Sequence, residues 1–377
     1  MVTRSKRKRA AAMLALSIAL SAALSLGAGP AFALKPVPVV DDLDSPWALA
    51  FLPDGRWLVT ERPGKLRIVG ADGKAGAPLV GLPAIDAGGQ CGLLDVAVDP
   101  QFARNGFIYW TFAEPAAGTR RGNSTAVARA RLVGDKLEDV KTIFSQKPKI
   151  SSRNHCGSRI VFDRNGNLWV GLGDRFSERD EAQNLANHLG KVIRIDRDGK
   201  APADNPFVGR AGTAPEIWSL GHRYIQGAAA HPASGELWLS EHGPQGGDEI
   251  NVAEAGRNYG WPLVTYGRNY GSGTVIGEEG PKPGFEQPLR YWVPSVAPSG
   301  LAFVTSDRYA GWKGNLLMGT LREQQLIRLT LDGRRITSEE RLLTDFGQRI
   351  RDVRQGPDGF VYLVTEGSPG RIWRLEP

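Results

Sequence analysis

Trp47-Ala48-Leu49-Ala50-Phe51, the turn Pro53-Asp54-Gly55, then Trp57-Leu58-Val59-Thr60-Glu61 form one unit of this chain: an apolar strand, a tight bend and a second strand. Proline presets the first turn dihedral and glycine accepts the left-handed one, so the bend is dictated locally. The same grammar returns near the other end as 353–355, Pro357-Asp358-Gly359 and 360–366. Four irregular copies lie between. Their first strands are at 93–98, 160–162, 227–231 and 301–304, and their second strands at 107–112, 167–172, 236–240 and 315–319. Third strands follow some copies, at 65–69, 191–196, 326–331 and 371–375. Alternation and β-branched residues mark antiparallel strands, not helices. Six such repeats predict an all-β fold, a six-bladed β-propeller of four-stranded antiparallel blades. A β-helix fits less well because the repeat lengths vary. Two β-sandwiches are the main competitor, but the sixth copy reads so like the first that one ring is preferred. Insertions around 118–123, 176–188 and 266–288 are expected as loops on the functional face.

The composition agrees. The 377 residues include 47 Gly and 25 Pro, as a turn-rich β chain requires, and no long periodic helix appears. The first 33 residues read as a secretory signal: Arg4, Lys6, Arg7, Lys8 and Arg9, then an apolar run from Ala10 to about Gly27, then Ala31-Phe32-Ala33. Residues 34–377 are expected to form one catalytic domain, periplasmic or secreted, with no stable membrane insertion. The whole chain carries 47 Lys and Arg against 40 Asp and Glu; five of the basic residues precede Leu34, leaving 42 against 40, or +2. The basicity is mostly the leader, so nucleic acid is not implied.

The densest chemistry lies in 241–262, EHGPQGGDEINVAEAGRNYGWP. Gly243, Pro244, Gly246 and Gly247 force a turn, and Glu241, Asp248 and Glu249 bracket it with oxygen. Carbonyls and carboxylates together suit a hard cation such as Ca²⁺, although no EF-hand spacing is present. The plain alternative is an acidic surface loop. His155 sits among small polar residues, where an imidazole can act as general base or be merely a hydrogen-bonded structural group. Asp174 ends the following strand and could orient that base or pair with Arg175. Arg223 follows Gly221-His222 as an anion or carbonyl ligand. Arg349 and Arg351 share a strand face and repel each other unless an anion joins them; a solvent-exposed edge is the alternative. Arg322 could join them. No zinc, Walker, Rossmann or nucleophile-elbow motif stands out.

Taken together, these segments resemble the soluble, Ca²⁺- and pyrroloquinoline-quinone-dependent sugar dehydrogenases, the glucose/sorbosone and aldose sugar dehydrogenase group. The resemblance runs from Trp47 to Leu375 and rests on Gly89-Gln90-Cys91-Gly92-Leu93-Leu94, 155–159, Gly173-Asp174, Leu189-Gly190-Lys191-Val192, 220–227, 241–251, 258–262, Ala297-Pro298-Ser299 and 349–353. It implies that aldose sugars are oxidised at C1 to lactones, with hydride passing to the quinone (PQQ). His155 would be the general base, oriented by Asp174 or by Asn154, where the family often has Asp. Gln90 would contact the sugar. Arg223 would bind the quinone oxygens, and Arg322, Arg349 and Arg351 its carboxylates; relatives can have Lys at the Arg322 position. The carbonyls of Gly243 and Pro244 would hold the catalytic Ca²⁺, and Glu249 and Tyr259 would belong to a second, structural Ca²⁺. Tyr224 replaces an Asn of the glucose-oxidising members, which leaves the sugar open.

Cys91 and Cys156 directly follow Gln90 and His155, both placed at one site, so a bridge is preferred to two buried thiols. The natural electron acceptor is left open, and a monomer or weak homodimer is expected. The competing readings are a calcium-dependent lactonase-type propeller hydrolase and a non-catalytic glycan-binding propeller.

Overall fold

Trp57–Glu61 is buried along its whole length, as are its counterparts Leu168–Leu172, Leu237–Glu241, Leu316–Thr320 and Val361–Thr365. A strand covered on both faces needs no polar alternation, so these segments read as nearly continuous apolar runs. They lie second in their sheets and are covered on both faces by the sheets of neighbouring repeats. The computed structural model of the chain describes residues 34–118 and 121–377. The secretory leader assigned to residues 1–33 lies outside the described residues.

Among the described residues, 24 strands form six four-stranded antiparallel sheets, the blades of a six-bladed propeller. Five blades follow chain order, with inner strands Pro46–Phe51, Leu93–Val98, Gly157–Phe162, Ile225–Ala230 and Pro298–Phe303. The sixth takes its inner three strands, Ile350–Gln355, Val361–Thr365 and Gly370–Glu376, from the end of the chain and its outermost, Lys35–Leu43, from the beginning. That last pairing runs from Lys35↔Glu376 to Leu43↔Gly370 and locks the ring shut. Among the described residues, helix is confined to one α turn, Phe102–Asn105, and one 3₁₀ segment, Arg179–Gln183. The α turn occupies what the sequence suggests is a simple bend in the second repeat. No helix among the described residues is long and apolar enough to cross a membrane.

Neighbouring blades are stitched by buried hydroxyls near the end of the second strands. Thr60 donates to the Leu94 carbonyl, Thr111 to Ser158 at 2.9 Å, and Ser240 to Ser299 at 2.7 Å. Each such bond contributes about 1 kcal/mol net, and losing it would strand a buried carbonyl. The third and fifth blades carry glycine at this position, and the sixth carries Val364. A Cβ on Gly171 would lie 2.7 Å from Ile225, and one on Gly319 would lie 2.6 Å from Ile350. At Gly171 and Gly319 close blade packing leaves no room for a side chain. Cys91 and Cys156 are joined in a disulfide, Cα to Cα 5.6 Å, tying the entrance of the second blade to that of the third.

Candidate active site

All six inner strands carry a bulge in the same place, near their first residues. The register slips between Pro46 and Ala48, Leu93 and Val96, Gly157 and Ile160, Ile225 and Gly227, Pro298 and Leu301, and Ile350 and Asp352. A bulge frees a residue from the ladder and re-aims its side chain. Here the freed residues include Trp47, Asp95, Arg159, Gln226 and Arg351, and they meet in a connected cluster. Arg159 is fully buried, ion-paired to Asp352 at 2.9 Å and lying 4.0 Å over the Trp47 ring. It donates to the carbonyls of Gln226 (2.7 Å) and Arg351 (3.0 Å), while Arg354 bonds Asp95 (2.7 Å) and Asp352 (2.8 Å). These charges pair among themselves and make a rigid floor. Arg351 rises from it, donating to Gln226 Oε1 at 2.6 Å.

His155 stands just before the third inner strand, with its backbone in the left-handed region at φ 47°. Gln90 Oε1 accepts its backbone N–H at 2.7 Å, and Asp174 Oδ1 accepts from Nδ1 at 2.6 Å. Both side chains of this dyad are buried. Asp174 also accepts from Trp261 Nε1 and from the Phe176 amide, each at 2.8 Å. Burial opposes its ionisation, but the His155 hydrogen bond, the charge of Arg223 and that amide hold the carboxyl below its ordinary value. Burial pushes the imidazole down, against the pull of Asp174 and with Arg223 and Arg175 adding to the fall. The result is a neutral imidazole whose Nε2 meets no hydrogen-bond partner among the described residues. Asp174 is the side chain bonded to the His155 ring, whereas Asn154 offers only a backbone carbonyl, to Arg175. Arg175 turns back towards Asn123 and Ser152 and forms no ion pair with Asp174. A groove of about 470 Å³, lined by Asp86, Asn123, Ser152 and Arg153 among others, opens on the loop that precedes His155, without His155 in its lining.

Arg223 lies between the dyad and the acidic loop. Its Nη1 donates to the carbonyls of His242 (2.9 Å) and Gly243 (2.6 Å), and its Nε is buried without a partner among the described residues. A guanidinium with an unused, buried donor has capacity for a ligand oxygen. Arg349 and Arg351 do sit side by side, but the anion joining them is internal. Glu366 pairs with Arg349 at 2.9 Å and with Arg351 at 3.0 Å. Burial works against that carboxylate, yet the two arginines pull it down to about 2. The like-charge argument for an external anion is thus answered by the protein itself. Arg322 is exposed and forms no side-chain hydrogen bond or ion pair among the described residues.

In the acidic loop, Glu241 accepts from His222 Nδ1 (2.7 Å), the Arg223 amide (3.2 Å) and Asn251 Nδ2 (3.1 Å). Glu249 also accepts from Asn251, at 3.0 Å. Burial, followed by the charge of Glu241, pushes Glu249 up to about 8. Both carboxyls, with Gly247, Tyr259 and Thr265, face a cavity of about 20 Å³, room for one water or one ion. Asn251 Oδ1 is buried without a partner. The Tyr259 hydroxyl donates to the Val252 carbonyl and accepts from the Glu254 amide, which leaves only its backbone carbonyl free for a cation. The Gly243 amide is pinned by Asp248 at 2.8 Å, and the Gly243 carbonyl already faces Arg223. No group of three or more His, Cys, Asp or Glu side chains among the described residues is arranged to hold a metal. Any cation here would depend on carbonyls as well as carboxylates.

Sequence reasoning misses the aromatic wall of the site. The Tyr224 ring lies parallel to His155 at 4.6 Å, Phe176 meets it edge-on at 5.2 Å, and His242 meets Tyr224 edge-on at 5.3 Å. Arg223 lies 5.3 Å over Trp261. These residues come from different loops, and only the ring closure brings them together.

Residues 43–374 match the family described as Glucose / Sorbosone dehydrogenase. The aldose sugar dehydrogenase YliI of Escherichia coli is 46% identical over 342 residues, covering 89% of this chain and 91% of that protein. The crystal structure of the soluble aldose sugar dehydrogenase from Escherichia coli in its apo form superposes with a TM-score of 0.88 at 45% identity, covering 91% of this chain and 99% of that one. A PQQ-bound aldose sugar dehydrogenase from Streptomyces coelicolor superposes with a TM-score of 0.75 at 29% identity, covering 91% and 97%. On the matched span and these similarities, the chain belongs to the glucose/sorbosone dehydrogenase family.

Proposed function

We propose that this protein is an exported aldose dehydrogenase that oxidises the sugar C1 hydroxyl to a lactone, using PQQ and Ca²⁺. The observation that carries the reading is the His155–Asp174 dyad, bonded through Asp174 to Trp261, over whose ring the Arg223 guanidinium lies at 5.3 Å. When bound, the quinone supplies a two-electron acceptor for the hydride leaving C1, and Ca²⁺ supplies a Lewis acid. Nε2 of His155 takes the C1 hydroxyl proton, and Asp174 stabilises the imidazolium that results. Gln90 fixes the backbone of the base and keeps its amide N–H₂ for the sugar.

The residues fit the two absent groups. Arg223 has an unused buried N–H, and Arg351, although paired with Glu366, would have to share its guanidinium with a carboxylate of the cofactor. Arg349 and Arg322 add charge at the rim. The carbonyls of Gly243 and Pro244 would hold the catalytic Ca²⁺, with Arg223 shared between that loop and the cofactor. Glu249 and the Tyr259 carbonyl would hold the second cation, where the buried Glu241 and half-buried Glu249 carboxyls face one small cavity. The Cys91–Cys156 disulfide supports an oxidising compartment, periplasmic or secreted. The test is a dye-reduction assay with purified protein, PQQ, Ca²⁺ and a panel of aldoses. Aldose-dependent reduction that vanishes in His155→Ala supports the reading; bound quinone with no turnover across the panel contradicts it.

A further inference from the structure

Gln183 closes the 3₁₀ segment Arg179–Gln183 of the third blade and reaches across to the loop that follows the third strand of the fourth. Its side-chain amide pairs reciprocally with that of Asn258. Gln183 Nε2 donates to Asn258 Oδ1 at 3.1 Å, and Asn258 Nδ2 donates to Gln183 Oε1 at 2.7 Å. The same Nε2 donates to the Trp261 carbonyl at 2.7 Å, and Asn258 Oδ1 accepts from the Gly260 amide at 3.0 Å. The pair fills the space beside Gly221, where a Cβ would lie 2.2 Å from Asn258 Oδ1 and 3.0 Å from Gln183 Nε2. The Gly221 carbonyl in turn accepts from the Trp261 amide at 2.9 Å. Two half-buried side-chain amides thus pin the backbone of Trp261, whose buried indole packs with Ala182 and Ile276.

We propose that Trp261 is a positioning residue for the His155–Asp174 dyad, and that the Gln183–Asn258 amide pair is the latch that sets its indole. The proposal rests on the function proposed above. Oδ1 of Asp174 serves His155 and the Phe176 amide, which leaves Oδ2 to the indole N–H alone among the described residues. Donors on both oxygens fix the plane of the carboxylate, and through it the imidazole. The indole N–H also stabilises the charged carboxylate. Without it Asp174 is a stronger base and holds the protonated imidazole more tightly, so His155 is harder to deprotonate. The charged groups acting on His155 are Asp174, Arg223 and Arg175; Tyr224 and Phe176 flank its ring, and His242 stands beyond Tyr224. None of them bonds Gln183. The one other route from Gln183 to the dyad runs through Gly221 to Arg223, which lies 5.3 Å over the Trp261 ring.

Trp261→Phe keeps a ring and removes the N–H; Gln183→Met keeps the length and removes the amide. Both, and the double variant, are compared with wild type after circular dichroism confirms folding. The His155 ring is titrated by NMR in the apoprotein, its signals picked out from the five histidines by their loss in His155→Ala. kcat and KM are measured across pH with PQQ, Ca²⁺ and an aldose. Trp261→Phe is expected to raise the His155 midpoint by about half to one pH unit, and the acidic limb of kcat/KM with it. It should lower kcat about tenfold or more while the aldose KM stays within about twofold. Gln183→Met is expected to move both in the same direction by less, and to add nothing in the Trp261→Phe background. An unmoved His155 midpoint in folded Trp261→Phe overturns the positioning role. Should Trp261→Phe not fold, an unmoved midpoint in Gln183→Met overturns the latch. A Gln183→Met effect undiminished in the double variant also overturns it and assigns the coupling to Gly221 and Arg223. Wild type that binds PQQ but turns over no aldose overturns the underlying function instead, and the apoprotein titration still decides the role of Trp261.

Discussion

Nδ1 of His155 and Oδ1 of Asp174 lie 2.6 Å apart, with both side chains buried and Trp261 donating to the other carboxylate oxygen. The carboxylate fixes the tautomer that leaves Nε2 unprotonated and facing the site. Asp174→Asn would keep the shape but can present its N–H₂ to Nδ1 and reverse the tautomer. We expect kcat to fall by about 10²–10⁴ with little change in fold, measured by steady-state kinetics and circular dichroism. A fall of less than threefold would remove Asp174 from the machinery.

The same burial fixes the pH dependence. The His155 imidazole is pushed below its ordinary 6.5, and only its neutral form can take a proton. Activity therefore rises with pH through that lowered value and is already at its plateau by neutrality. The acidic limb of kcat/KM is expected to have its midpoint below 6.5. A midpoint above 7 contradicts a buried base.

Glu366 offers a separate test. It is pulled from its ordinary 4.5 to about 2 by Arg351 and Arg349 against the cost of burial. A carboxyl depressed on folding stabilises the protein fully above 4.5 and loses that contribution as pH falls through about 2. Glu366→Gln should thus cost about 2 kcal/mol at pH 7, read from urea unfolding. The gap from wild type should shrink as the pH falls from 4.5 towards 2. A constant gap would mean the carboxylate's charge is not what stabilises.

The cavity between Glu241 and Glu249 predicts a cation effect on stability. Adding Ca²⁺ to chelator-treated protein should raise Tm by several degrees, as ligand binding to the folded state requires. In Glu249→Gln most of that rise should disappear. An equal rise in the variant would place the responsible cation elsewhere.

Much of the fold is legible because the repeat is written in local chemistry. The Pro-Asp-Gly turns at 53–55 and 357–359 and the buried second strands declare themselves residue by residue. Lys35–Leu43 does not: two prolines break its pattern, and its partner is more than 300 residues away. The chemistry-bearing residues His155, Asp174, Arg223 and Arg351 are visible as polar interruptions at strand ends. Tyr224 and Phe176 look like ordinary aromatic residues until the ring sets them beside His155. Glu366 could have been found. Counting outward from the turn at 357–359 pairs Ile350 with Glu366, already between the two arginines; the bulge at Arg351 shifts this by one, to Ile350 with Thr365. The bulges that aim Arg159 and Arg351 inward leave no such trace, because a one-residue slip changes no residue type.

The most direct test is a single-turnover measurement without an electron acceptor. Apoprotein is loaded with one equivalent of PQQ and excess Ca²⁺ under anaerobic conditions, then mixed with an aldose while the cofactor's absorption is followed. The account predicts conversion to the reduced cofactor spectrum, about one lactone formed per PQQ, and loss of both in His155→Ala. An unchanged spectrum with PQQ demonstrably bound, for every aldose tried, would contradict it.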